Sequence, residues 1–200
     1  EMCIRDRGRS VLDMARTGRD SADILDAVAA EAGCRVVVDA SKHMPRFRAL
    51  QATAPERTRL ILLCRDYRGV IYSKMKRGRS LEDSAVSWAN RVDRMAHLAR
   101  RMPADRVIKL RYEDLCEHTD ATLLRVFDFL GVAPTDGPVR RTSHGMHHIG
   151  GSPSKFDDER AEIIIDERHK DAFSPQELDR MHEILGPQAA VWGYGPEQNA

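Results

Sequence analysis

No run of apolar residues in this sequence approaches the roughly 20 that a membrane-spanning helix needs. No apolar h-region of a secretory leader occurs among the first residues. Cysteine is sparse: Cys3, Cys34, Cys64 and Cys116 show no CxxC spacing, so neither a zinc site nor a disulfide framework is signalled. A reducing, cytoplasmic setting is the plain expectation. Charge of one sign is also missing. Charged residues make up 32% of the chain and the formal net charge is +1. That balance argues against a general nucleic-acid binder but leaves room for a local phosphate pocket. There is no internal repeat, low-complexity segment or linker. Before Val36 there is no G-x-x-x-x-G-K-[ST] run or similar Gly/Ser/Thr-rich loop of the kind that cradles phosphates.

Leu60 to Lys76 reads L-I-L-L-C-R-D-Y-R-G-V-I-Y-S-K-M-K. Its apolar opening, Leu60 to Cys64, is short enough for a strand buried on both faces. Arg65 to Gly69 then predict a short polar loop, and the spacing from Val70 suits a helix. A strand, a glycine-bearing loop and a basic helix start form a common anion site, because helix-terminal amides and the helix dipole both favour negative charge. Arg65 and Ser73 lie eight residues apart. One supplies a guanidinium fork and the other a hydroxyl donor, both suited to phosphate.

R-D-Y-R-G-V-I-Y-S resembles the 3′-phosphate-binding segment of sulfotransferases that use 3′-phosphoadenosine 5′-phosphosulfate. The resemblance implies that Arg65 and Ser73 grip the 3′-phosphate of the nucleotide. A second segment is similar to the same family. Arg35 to Asp39 predicts a buried strand, and A-S-K-H-M-P-R-F-R follows, with Pro45 starting a helix that runs to about Ala52. Asp39, Ser41, Lys42, His43 and Pro45 can be laid on the family's Asp-Ser-Ser-Lys or Lys-x-His-x-Pro patterns, though not on both equally well. The resemblance implies that Ser41 meets the co-substrate and that His43 or Lys42 serves at the reacting centre. An imidazole titrates near neutral pH and can take a hydroxyl proton, and a lysine can stabilise charge on the leaving group.

Val107 to Leu110 predicts a third strand, followed by Arg111-Tyr112-Glu113-Asp114-Leu115. The Tyr-Glu-Asp element after a strand is typical of the family, and Tyr112 is thereby placed on the nucleotide. Adjacent carboxylates point differently, so Glu113 and Asp114 read as positioning residues rather than a catalytic pair. Arg140 to Phe156 is polar, basic and glycine-rich, hence a loop. It resembles the family's late loop that closes over the nucleotide, which implies contacts from Lys155, Thr142 and Ser143. His144, His147 and His148 stand in it without an acidic neighbour and among glycines, so no metal site is expected.

The remaining pattern is helical. Ser10 to Ala32 is interrupted by Gly18 and stopped by Gly33. Leu81 to about Met102 carries a stripe of Val86, Ala89, Val92, Met95, Ala96 and Ala99, with Ser80 as N-cap and Trp88 in the core. Thr119 or Asp120 caps a helix buried by Leu123, Leu124, Val126, Phe127, Phe129 and Leu130 and ended by Gly131. Ser174-Pro175 starts a last helix, stopped by Gly186-Pro187, and Trp192 to Tyr194 form a packed tail.

Strands alternating with helices predict an α/β fold: a three-layer parallel sheet flanked by helices, P-loop NTPase-like, with ligands beyond the carboxyl ends of the strands. The family's first strand and 5′-phosphosulfate loop are missing from the sequence. Glu1 to Arg7 resembles the translation of a sequencing-library adapter, so residues 1–7 are expected to be non-native and residues 8–200 to form a single sulfotransferase-like domain, incomplete at its N-terminus. Little or no turnover is expected of such a fragment. The expected function is sulfonate transfer to a hydroxyl or amine of a carbohydrate, lipid, peptide or small-molecule acceptor, with no metal and no nucleic-acid partner. A P-loop small-molecule kinase and a non-enzymatic nucleotide-binding or interaction module are the alternatives.

Overall fold

Residues 11–134 and 164–195 are described by a computed structural model. They fall in two units, Glu1–Arg59 and Leu60–Ala200, each taken by itself below.

In the first unit α1 (Val11–Glu31) is one uninterrupted helix. Gly18, expected to break it, instead lies where the second helix passes. A Cβ there would come within 2.5 Å of the Ala49 carbonyl oxygen and of the Thr53 hydroxyl. Gly33 ends the helix in the left-handed conformation, φ +61°, as its position implies. α2 (Met44–Thr53) carries Pro45 in its first turn, and Ala49 is buried. The strand expected over Arg35 to Asp39 does not form: the backbone joins no ladder and Val38 is 67% exposed. An apolar run alone does not make a strand, since its amides and carbonyls need a neighbouring strand to bond.

The second unit is built on two parallel strands, β1 (Leu60–Cys64) and β2 (Val107–Arg111), in register from Leu60 opposite Val107 to Cys64 opposite Arg111. Three strands were expected, and among the described residues two are paired. β1 is buried on one face only. Leu62 and Cys64 are buried, while Leu63 between them is 48% exposed.

Helices cover the Leu62 and Cys64 face. α3 (Tyr67–Met75) starts three residues ahead of the expected Val70, because the Asp66 side chain accepts from the Arg68 amide at 2.8 Å and caps it. α4 (Leu81–Ala99) is capped by the Ser80 hydroxyl, which accepts from the Asp83 amide at 3.1 Å. Its buried stripe is Leu81, Ala85, Trp88 and Val92, and the expected member Val86 is 48% exposed. A 3-10 turn at Ala104–Arg106 leads into β2, which is followed by α5 (Tyr112–Glu117) and α6 (Thr119–Leu130). Gly131 ends α6 at φ +67°. Neither Thr119 nor Asp120 caps that helix: the Thr119 hydroxyl donates to the Leu115 carbonyl at 2.7 Å. Leu124 is 52% exposed rather than buried.

α7 (Pro175–Ala190) opens with a capping box between Ser174 and Glu177. It was expected to stop at Gly186-Pro187, yet it runs on to Ala190. A proline inside a helix costs about 3 kcal/mol. Continuing past it buries Ala189 and brings Trp192 and Tyr194 into the core. Burying a large apolar side chain contributes roughly 1.5–3 kcal/mol, so two aromatics suffice to offset the proline.

Leu185→Ala is expected to lower unfolding free energy by about 2–5 kcal/mol, and Val86→Ala to change it by less than about 0.5 kcal/mol, in urea denaturation. Equal losses would restore the stripe read from the sequence.

Candidate functional site

The carboxyl ends of β1 and β2 lie side by side, so Arg65 and Tyr112, the residues that follow them, are brought together. The Arg65 guanidinium stands over the Tyr112 ring, 4.9 Å from its centroid. It folds across the first turn of α3, where Gly69 leaves room for it. A Cβ on Gly69 would lie 2.8 Å from Arg65 Nε and 2.9 Å from Nη2. Gly69 sits inside the helix rather than in a loop, and its value is the missing side chain. Ser73 follows Gly69 by four residues and therefore lies one turn on along the same helix face. Arg65, Ser73 and Tyr112 thus share one corner.

Six contacts hold that corner. The Trp88 indole donates to the Arg65 carbonyl at 3.0 Å. Asp66 and Arg68 form a buried pair, with Arg68 Nη2 2.6 Å from Asp66 Oδ2. Glu113 Oε1 accepts from the Asp66 amide at 3.0 Å, and Glu113 Oε2 accepts from the Tyr194 hydroxyl at 2.7 Å. Arg65 itself donates through Nη2 to the Asp166 carbonyl at 2.9 Å and lies 3.2 Å from Asp166 Oδ2.

The electrostatics follow from these neighbours. Burial pushes the Tyr112 phenol up, and its interaction with Cys116 adds to that, so it stays a hydrogen-bond donor. Burial and the Glu113 carboxylate raise Tyr194 in the same sense. Burial holds the His169 imidazole below its ordinary value; Asp66 offsets part of this, and Arg65 and Arg68 add to it. Burial, with the Glu113 and Asp66 carboxylates, pushes the Cys64 thiol up to about 12.

The other expected residues belong to the first unit or lie outside the described residues. Ser41, Lys42 and His43 belong to the first unit and are exposed. There the Asp39 carboxylate accepts from the Ser41 amide at 2.8 Å and pairs with Arg46 at 3.4 Å. Lys42 takes a left-handed φ of +59°, the one non-glycine residue to do so among those described, a conformation that costs about 1–3 kcal/mol. His43 is the N-cap of α2: its Nδ1 accepts from the Arg46 amide at 3.2 Å. A neutral ring used in this way carries its proton on Nε2. Lys155, Thr142 and Ser143, with the histidines His144, His147 and His148, lie outside the described residues.

Residues that sequence reasoning left unassigned do much of the positioning. Asp66, directly before a helix, carries an N-cap signature that was readable. Tyr194 and Asp166 left no local signal, since their partners lie 81 and 101 residues away in the chain.

Two outcomes follow for this corner. Gly to Ala inside a helix ordinarily gains about 1 kcal/mol. Gly69→Ala is expected to gain less than that, because the new methyl displaces the Arg65 guanidinium from its place over α3, and the full gain in thermal unfolding would show that Arg65 does not rest there. A thiolate is the reactive form, so Cys64 in the folded protein is expected to resist iodoacetamide at pH 8 while exposed Cys34 is modified, as read by peptide mass spectrometry. Alkylation of Cys64 at a comparable rate would contradict its burial.

No curated protein matches the chain. A model described as the sulfotransferase family matches residues 9–136, a stretch that holds Arg65, Ser73 and Tyr112 together with Ser41, Lys42 and His43. That stretch covers well over half of the sequence, and the chain belongs to the sulfotransferase family.

Proposed function

We propose that this chain serves the transfer of a sulfonate group from 3′-phosphoadenosine 5′-phosphosulfate to a hydroxyl or amine acceptor. The observation that carries the reading is the Arg65 guanidinium, seated over the Tyr112 ring at 4.9 Å and against the face of α3 that bears Ser73. A planar fork, a hydroxyl and an aromatic ring converge beyond the ends of two parallel strands, where α/β folds bind ligands. The donor set suits a phosphate, since Arg65 already engages an oxygen anion in Asp166.

In this reading Arg65 and Ser73 hold the 3′-phosphate and Tyr112 lies against the purine. Ser41 meets the phosphosulfate end, and Lys155, Thr142 and Ser143 come from the loop that closes over the nucleotide. The acceptor oxygen or nitrogen attacks sulfur. A new bond to sulfur forms, the bond from sulfur to the phosphate oxygen breaks, and adenosine 3′,5′-bisphosphate departs. The acceptor's proton passes to His43 or Lys42. For His43 the cap on α2 has to open first, because the tautomer that accepts from the Arg46 amide has no free lone pair at Nε2. The acceptor is a carbohydrate, lipid, peptide or small molecule. A cytoplasmic setting accords with the free thiols of Cys34, Cys64 and Cys116.

Calorimetric titration with adenosine 3′,5′-bisphosphate and adenosine 5′-monophosphate checks the reading. The bisphosphate is expected to bind at least about ten-fold more tightly, and Arg65→Ala to erase that preference, as loss of one charge-assisted fork would. Equal affinity for the two nucleotides in the unaltered protein would refute it.

A further inference from the structure

The Asp166 carboxylate bridges two guanidinium groups. Arg65 Nη2 lies 3.2 Å from its Oδ2, while Arg168 donates from Nε to Oδ1 at 2.7 Å and from Nη2 to Oδ2 at 2.8 Å. Arg168 therefore takes both oxygens as a fork, and Oδ2 is shared with Arg65 Nη2, which also donates to the Asp166 carbonyl at 2.9 Å. The other carboxylates at this end of the sheet are committed elsewhere. Asp66 is taken by Arg68 and by the cap of α3, and Glu113 by the Asp66 amide and Tyr194. The Arg168 side chain is 70% exposed and that of Asp166 26%, so the cluster opens to solvent rather than into the core.

The hydrogen bonds from Arg168 hold the Asp166 carboxyl well below the usual carboxylate range; burial opposes this, and Arg65 adds to it. The bridge is thus an anion throughout the neutral range. A phosphate monoester brings three oxygens and up to two negative charges, and so can satisfy both forks where the carboxylate cannot.

We propose that the Asp166 carboxylate is a resident stand-in for the phosphate on Arg65, and that Arg168 is a second guanidinium for that phosphate, released to it when Asp166 gives way. This rests on the reading of Arg65 as the 3′-phosphate seat. Asp166 then weakens nucleotide binding by occupying the seat, and Arg168 adds selectivity for the doubly charged group. A carboxylate that merely pinned the 164–173 segment would have the opposite influence, because its loss would loosen the site.

The test is titration of the unaltered protein, Asp166→Asn, Asp166→Ser and Arg168→Ala with adenosine 3′,5′-bisphosphate and adenosine 5′-monophosphate, with thermal unfolding to confirm that each variant is folded. Both Asp166 variants are expected to bind the bisphosphate roughly ten-fold more tightly and the monophosphate with little change. Arg168→Ala is expected to bind the bisphosphate about five-fold or more weakly. Unchanged or weaker bisphosphate binding in folded Asp166 variants overturns the inference, while a retained preference of the unaltered protein for the bisphosphate leaves the 3′-phosphate reading standing. Absence of that preference in the unaltered protein overturns both.

Discussion

The Glu113 carboxylate is the contact on which the larger unit depends. One oxygen accepts from the Asp66 amide just past β1, and the other accepts from the Tyr194 hydroxyl near the end of the described chain. Glu113 itself sits at the start of α5, directly after β2. A single side chain therefore ties the carboxyl ends of both strands to the C-terminal tail. Both bonds are charge-assisted and the carboxylate is 16% exposed, with the Arg111 guanidinium 4.0 Å away as its counter-charge. Bonds of this type contribute roughly 1.5–3 kcal/mol each, and an oxygen left without its donor there would cost as much again. The tail is fixed at the same point by packing. Tyr194 stacks edge-on to Trp88 with ring centroids 6.4 Å apart, and its hydroxyl lies 3.2 Å from the Cys64 carbonyl.

The candidate corner inherits its rigidity from this knot. Glu113 holds the Asp66 amide, Asp66 caps α3 and neutralises Arg68, and Trp88 holds the Arg65 carbonyl. The Arg65 backbone is thus fixed from two sides while its guanidinium stays at the surface of the unit. Removing either member of the buried Asp66 and Arg68 pair would strand the other charge, which costs more than the pair itself contributes. The corner so built has the parts of the proposed anion seat: a stacked guanidinium, a carboxylate on it and a second guanidinium on that carboxylate.

What the sequence disclosed was what lies close together along the chain. Leu60 to Cys64 was legible as a strand to the residue, because a short apolar run bounded by polar residues has few other uses. Pro45, Ser80, Ser174 and Gly131 marked helix ends correctly for the same local reason. Arg65, Ser73 and Tyr112 were singled out through a resemblance to a family, and the strands bring Arg65 and Tyr112 into contact. Arg35 to Asp39 misled because strand formation needs a partner that local pattern does not reveal. Of the stripe read on α4, Val92 is buried and Ala89, Met95 and Ala99 pack against the core, but Val86 is exposed while its apolar neighbour Ala85 is buried, a choice that tertiary packing makes. Pro187 misled because the reward for continuing the helix lies in Trp192 and Tyr194, beyond the window in which a stop signal is read. Glu113 was read as a positioning residue and Tyr194 as packed, but the partners of Glu113, Tyr194 and Asp166 lie far along the chain, and no local rule announces those.

The most direct measurement is a crystal structure of the full chain grown with adenosine 3′,5′-bisphosphate. The account predicts the 3′-phosphate on the Arg65 guanidinium and within reach of Ser73, the purine against Tyr112, and the Asp166 carboxylate moved off Arg65. A nucleotide bound elsewhere, with Asp166 still seated on Arg65, would contradict it.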